Sequence, residues 1–243
     1  MAKKILLASA IIWGIISNGH VFAQTGVDSV GLSLAVANYD TAIGQQSHLY
    51  NGPEYEFYDP LIKGNAYVFD NKVFTPGSVS YGAAVYSDIP MLYDLNKDVV
   101  VVLLYNRFTK FSLLSERVHE FWLLNHHFIR INTDSTGKAA LATGFYDQLY
   151  PGQKIEIIVK RAKSIQTATS SNTVESFFSA TKDYYVKKGG FYFSFGGKRG
   201  LLDILKDKKK ELKQYIKANN IDFDENFERA TVNVATYYDQ LTK

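Results

Sequence analysis

Hydrophobic and polar positions alternate with a period near two through the middle of the chain, and with a period near 3.6 only towards its end. Residues 154–163 are the plainest case. Ile155, Ile157 and Val159 fall on one side, and Lys154, Glu156 and Lys160 on the other. That is the pattern of a half-buried strand. Short apolar runs at 67–69, 79–81, 83–86 and 91–95 predict further strands, punctuated by Gly82 and Ser87-Asp88. Thr75-Pro76-Gly77 predicts a turn ahead of them, because Pro presets one turn dihedral and Gly permits a positive φ. Asn96-Lys97-Asp98 turns the chain into VVVVLLY (99–105), a continuous apolar run that predicts a strand covered on both faces. Strands at 108–114, 118–124 and 126–132 follow. Polar turns are expected at 134–137 and 150–153, and a polar loop at 164–172. A hairpin should join 183–186 to 191–195 across Lys187-Lys188-Gly189-Gly190.

From Gly196 the period changes. Leu201, Leu202, Leu205, Leu212 and Ile216 recur at helical spacing. Asp207 is placed to cap a helix over 208–219, and Asn219-Asn220 to stop it. A last helix over 224–241 carries a stripe of Phe227, Ala230, Val234, Tyr237 and Leu241. Asp222 and Glu225 have the spacing of a capping box ahead of it. The pattern predicts an α+β, mainly β domain over 49–243. It is an antiparallel β-meander, a curved sheet or partial barrel, with two to three C-terminal α-helices over about 198–241. Residues 24–48 are weakly patterned and form a lead-in segment, in which VGLSLAVA (30–37) could pair as a strand.

The first 23 residues change where this domain is expected to work. Lys3 and Lys4 precede an apolar stretch (5–16), and Val21-Phe22-Ala23 supplies small residues for a cut after Ala23. This predicts a secretory signal peptide and an exported, periplasmic or extracellular chain. The apolar run is short of the ~20 residues that cross a bilayer. Cysteine is absent, so no disulfide, thiolate nucleophile, cysteine metal ligand or lipid-acceptor cysteine exists. After the cut, 25 basic residues face 24 acidic ones. That balance argues against a nucleic-acid partner. The charge is uneven: residues 182–217 hold eleven Lys or Arg against four acids.

Candidate chemistry centres on HEFWLLNHHFIRI (119–131), which holds three of the five histidines. It is not the HExxH arrangement that puts two histidines on one helical face. On a strand, His126 and His127 point to opposite faces and cannot share an ion, so one packed and one exposed histidine are expected. No G-x-S-x-G elbow occurs. Asp94 and Asp98, a possible acid pair, flank a turn where Asp is expected anyway. Neither a cofactor nor a metal is expected, and no catalytic residue is assigned. Three features could bind a ligand. Tyr50, Tyr55, Phe57 and Tyr58 surround Gly52-Pro53 as a possible stacking platform. Lys198 and Arg199 stand in a Gly-rich loop before a helix, where an anion could sit. Lys209 belongs to the basic segment KDKKKELKQYIKANN, which could meet anionic headgroups on a membrane surface.

The succession LYNGPEY (49–55), GSVSYG (77–82), YSDIPMLYD (86–94), VVVV (99–102), FIR (128–130), KKKELK (208–213) and YYDQL (237–241) resembles a group of uncharacterised secreted proteins of Gram-negative bacteria. The resemblance implies an exported, non-lipidated envelope protein. It brings no activity and no catalytic residue. The expected function is therefore that of a non-catalytic envelope module binding a lipid, a glycan or a protein partner. A hydrolase of envelope polymers using acidic residues is the alternative, and an assembly protein using exposed strand edges is a third possibility.

Overall fold

In a computed structural model of the chain, the residues described are 48–104, 106–133, 141–170 and 173–242, with 31, 33 and 34. The expected signal peptide, most of the lead-in segment and the turn at 134–137 lie outside them. Residues 31, 33 and 34, within the stretch that could have paired as a strand, are helical. The chain divides into a unit over 1–42 and a unit over 43–243; the second is described below.

Ten strands form one antiparallel sheet: β1 (Thr75–Tyr81), β2 (Ala84–Asp94), β3 (Val99–Leu103), β4 (Lys110–Ser112), β5 (Val118–Leu123), β6 (His126–Ile131), β7 (Gly144–Pro151), β8 (Ile155–Ser170), β9 (Thr173–Lys188) and β10 (Phe191–Phe195). Their order is β10-β9-β8-β7-β6-β5-β1-β2-β3-β4. Two meanders, β1–β4 and β5–β10, are thus joined where β1 pairs with β5. The sheet is curved and unclosed. Its curl is visible in the packing: the Tyr93 ring of β2 meets Phe121, Phe128 and Phe145 of β5, β6 and β7 at 5.1–6.0 Å. The β2–β3 turn reaches as far as β8, where Lys163 N–H donates to the Leu95 carbonyl at 3.2 Å.

The cross-strand register explains the layers. Phe121, Phe128, Asp147, Val159, Tyr184 and Phe195 lie directly opposite one another in turn, so they share a single face. Towards β1–β3 this inner face packs on itself around Val79, Tyr93, Phe121 and Phe128. Towards β8–β10 it packs against three helices: α1 (Lys198–Ile204), α2 (Lys209–Ala218) and α3 (Phe227–Leu241). Leu201, Leu212, Ile216 and Val234 press onto Ile155, Ile157 and Val186 there. The outer face carries Ile129, Tyr146, Ile158 and Tyr185.

The structure departs from the sequence reading in several places. Thr75-Pro76-Gly77 opens β1 instead of turning ahead of it. Ser87-Asp88 does not end β2; it is a bulge opposite Ser78, and Asp88 takes φ 59°. Residues 67–69 are not a strand: Val68–Asp70 is a 3₁₀ turn with Phe69 and Asp70 left-handed. β7, unanticipated, covers Gly144–Pro151. The polar stretch 164–170 is the far half of β8, not a loop. Asp207 does not cap α2, because its carboxylate takes Lys188 Nζ at 2.5 Å and Tyr238 Oη at 2.9 Å. The cap of α3 is Asn226, which accepts from the Arg229 N–H at 2.9 Å; Asp222 instead turns the chain by accepting from the Asp224 and Glu225 N–H groups.

Candidate ligand cleft

Residues 48–74 run as a strap across the open side of the curved sheet. At one end the strap completes the edge of β4. Pro53 accepts from Ser112 N–H at 2.9 Å, and Tyr55 N–H donates to Lys110 at 2.8 Å. Gly52 lies so close to the Ser112 carbonyl that a Cβ would overlap it. At the other end Lys63 pairs with the free edge of β9, giving its N–H to Ser176 and accepting from Phe178 at 2.9 and 3.0 Å. On either side of these anchors Leu49 and Val68 dip into the first core.

Asp94, fully buried at the end of β2, organises the centre of the strap. One carboxylate oxygen accepts from Tyr55 Oη at 2.8 Å and Tyr58 Oη at 2.9 Å. The other accepts from the backbone N–H groups of Asn96 and Lys97 at 2.8 and 3.0 Å. Four donors therefore satisfy both oxygens of this buried carboxylate. Burial first, with the Asp94 charge adding to it, keeps both tyrosine hydroxyls well above the ordinary phenol range, so they remain donors. Lys97 Nζ lies over both rings at 4.6 and 4.9 Å.

Beside this network opens a cleft of about 330 Å³. Phe57, Tyr58, Pro60, Ile62, Tyr67 and Phe178 line it together with the polar Asp59, Asn65 and Lys72. Phe57 is half exposed, and Phe178 reaches in from β9 to meet the Tyr58 ring edge-on at 5.0 Å. Lys163 holds the far wall by donating to the Asn65 and Tyr67 carbonyls and to Asp70 at 2.6–3.0 Å. The arrangement offers aromatic surface together with polar groups, on a backbone fixed at both ends.

Of the residues singled out in the sequence, Phe57 and Tyr58 line this cleft, and Tyr55, next to them, is buried. Tyr50 turns the other way, 6.4 Å from the Phe111 ring and against the first core. These tyrosines therefore do not form one exposed platform. Lys198 lies 5.8 Å over Phe223. Arg199, 97% exposed, and Lys209 both reach Asp203, at 3.9 and 2.5 Å, which offsets part of their charge. Among the described residues, the tyrosine group and the Lys198, Arg199 and Lys209 group share none of these contacts. Asn65, Tyr67, Lys72 and Phe178 were not foreseen. Phe178 lies more than a hundred residues from the rest, and no local pattern signals it.

The histidines resolve as strand residues on opposite faces. His127 stacks on Trp122 at 4.4 Å and bonds Glu120 and Gln148 on the outer face. His126, on the inner face, bonds Asp147 through Nδ1 at 2.9 Å, and the Phe69 ring of the strap packs against it at 4.2 Å, tilted by 37°. Both are partly buried, in place of one packed and one exposed. Asp147 sits at the seam between the two cores and shares its charge with buried Arg161 at 2.6 Å; Arg161 in turn clasps Glu228 of α3 through two nitrogens at 2.7 and 2.9 Å. Burial opposes the charge on Glu228, but the Arg161 bonds, with Lys182 beside them, outweigh it and hold the carboxyl at about 2. Asp98, the other sequence candidate for acid–base work, is taken by Tyr93 Oη at 2.6 Å and Lys160 Nζ at 2.7 Å. Among the described residues no group of three or more His, Asp or Glu is placed to hold a metal ion. Nor, among them, is any helix long and apolar enough to cross a membrane.

Comparison with family models, with curated proteins and with solved structures gave no match to this chain. The fold and its cleft define a curved ten-stranded sheet, buttressed by C-terminal helices and spanned by an N-terminal strap.

Proposed function

We propose that the protein is an exported, non-catalytic binding module that holds a glycan in the aromatic cleft beneath the strap. The observation that carries this reading is the cleft lining, in which the aromatic Phe57, Tyr58, Tyr67 and Phe178 stand with the polar Asp59, Asn65 and Lys72. Sugar rings present apolar C–H faces and hydroxyl edges, and they match a surface that combines aromatic rings with polar side chains. A volume of about 330 Å³ suits one or two sugar rings better than an acyl chain. The hydrolase reading is weaker because Asp94 and Asp98 are already committed to tyrosine, lysine and backbone donors. Export rests on the lysines and apolar stretch of the first 23 residues.

Saturation-transfer NMR with a panel of soluble hexose and N-acetylhexosamine oligosaccharides tests the idea. Transfer from protein to sugar-ring protons is expected for at least one of them. Phe57→Ala, at a half-exposed position, should weaken that binding roughly tenfold without unfolding the chain, the loss of one stacked ring. Absence of transfer across the panel at millimolar sugar would contradict the proposal.

A further inference from the structure

β8 and β9 are each sixteen residues long, yet β7 pairs with β8 only through Val159, and β10 with β9 only from Tyr184 onward. Their far halves form a two-stranded ribbon held by its own ladder, from Lys160 opposite Asp183 to Ser170 opposite Thr173. Ser164 to Thr169 are exposed on both faces of it. A bare ribbon of this kind is marginal in water, and its edges invite pairing.

The two edges differ. That of β9 is covered by the strap at Ser176 and Phe178. On β8, the outward Lys163 N–H goes to Leu95. By strand alternation, the N–H and C=O groups of Ile165, Thr167 and Thr169 point outward as well. No backbone partner among the described residues meets these three beyond the β8–β9 ladder. Natural edges are normally protected by a lysine, a proline or a bulge. Here residues 164–174 (SIQTATSSNTV) contain neither charge nor proline, and the β8–β9 register runs without a break. Ile165 is left 40% exposed.

We propose that this edge is the interface with a second copy of the chain, the two β8 strands pairing antiparallel about a twofold axis at Thr167. In that register Ile165 faces Thr169 of the other copy, Gln166 faces Ala168, and Thr167 faces itself. Every pair is uncharged, so two copies meet with no like-charge opposition, and the Thr–Thr and Ile–Thr pairs are types that favour strand association. The contact is isologous and closes at two subunits. It joins two ribbons into one four-stranded sheet. With three outward residues a side, the interface falls below the standard size, and the dimer is weak and concentration-dependent.

Sedimentation velocity of the full chain, from about 1 to 200 μM, reads this directly. A reversible monomer–dimer equilibrium is expected. Thr167→Pro removes only an outward N–H, and Thr167→Lys sets two like charges across the axis. Both should hold the chain monomeric while leaving its circular dichroism and melting temperature unchanged. The chain has no cysteine, so Thr167→Cys supplies a positive test. Under mild oxidation it should cross-link to a dimer well ahead of Val85→Cys, an exposed control on β2. A wild-type chain monomeric throughout, with Thr167→Cys no faster than the control, would overturn the proposal. So would association that survives both Thr167 substitutions. A chain that stays monomeric but binds through this edge to vesicles or to an unrelated strand peptide would likewise overturn it.

Discussion

Three buried aspartates show how single residues hold this fold. Asp94 gathers two tyrosines and a turn. Asp147 balances His126 and Arg161. Asp239 of α3 accepts from the N–H groups of Gln153, Lys154 and Ile155, and from Tyr150 Oη. Each carboxylate brings together segments distant in sequence, and each is costly to strand without partners. The Arg161–Glu228 pair gives a test with a definite sign. Because the Glu228 carboxyl is held down at about 2 when folded, its contribution is fully present above the ordinary carboxylate range. It is lost as pH falls through about 2. Glu228→Gln should therefore flatten the fall in urea midpoint between pH 4.5 and 2. At pH 7 it should destabilise by about 3 kcal/mol, since Arg161 would be left buried against Asp147 alone. An unchanged acid limb in the variant would contradict this assignment.

Among the elements, the turns make the sharpest demands. Gly152, between β7 and β8, has no room for a Cβ, which would overlap the Tyr150 ring, the Asp239 carboxylate and the Ile155 carbonyl. Gly189, in the β9–β10 turn, sits at φ 59° with open space around it. Gly152→Ala should thus cost about 3 kcal/mol or more through overpacking and loss of the Asp239 bonds. Gly189→Ala should cost about 1 kcal/mol, from backbone strain only. Thermal denaturation of the two variants checks the order, and a larger loss at Gly189 would reverse the argument. The same elements show which parts of the fold are legible in sequence. Ile155, Ile157 and Val159 alternate cleanly because one face is buried and the other wet. The helices declare themselves through Leu201, Leu212 and Val234. β7 does not, because its inward position Asp147 is polar, and only His126 before it and Arg161 after it make that sensible. The far half of β8 does not, because neither of its faces is buried and the ladder alone keeps it extended. Residues 67–69 mislead in the opposite sense: their apolar run serves two cores and a ring contact to His126 from a turn, not a ladder. In the cleft, Tyr55 and Tyr58 stand out as a local aromatic cluster. Asp94 and Phe178, which give that cluster its shape, come from other strands and leave no local mark.

At the scale of the whole molecule, the curved sheet is a frame left open on one side, and the strap both spans that side and carries the cleft. Its anchors are Tyr55 on Asp94 and Lys163 on the 65–70 turn. Lys163→Met should loosen the far wall, and hydrogen exchange should quicken at Tyr67 and Asn71, whose N–H groups bond within that turn, while Val101 in β3 stays protected. Uniformly faster exchange would mean that the strap and sheet open together. The central claim, that the cleft holds a glycan, is tested most directly by native mass spectrometry of the chain purified gently from its own source. An added saccharide mass is expected, lost on denaturation and missing from Phe57→Ala. A bare chain that stays bare after incubation with envelope glycans would contradict it, as would an added mass indifferent to Phe57.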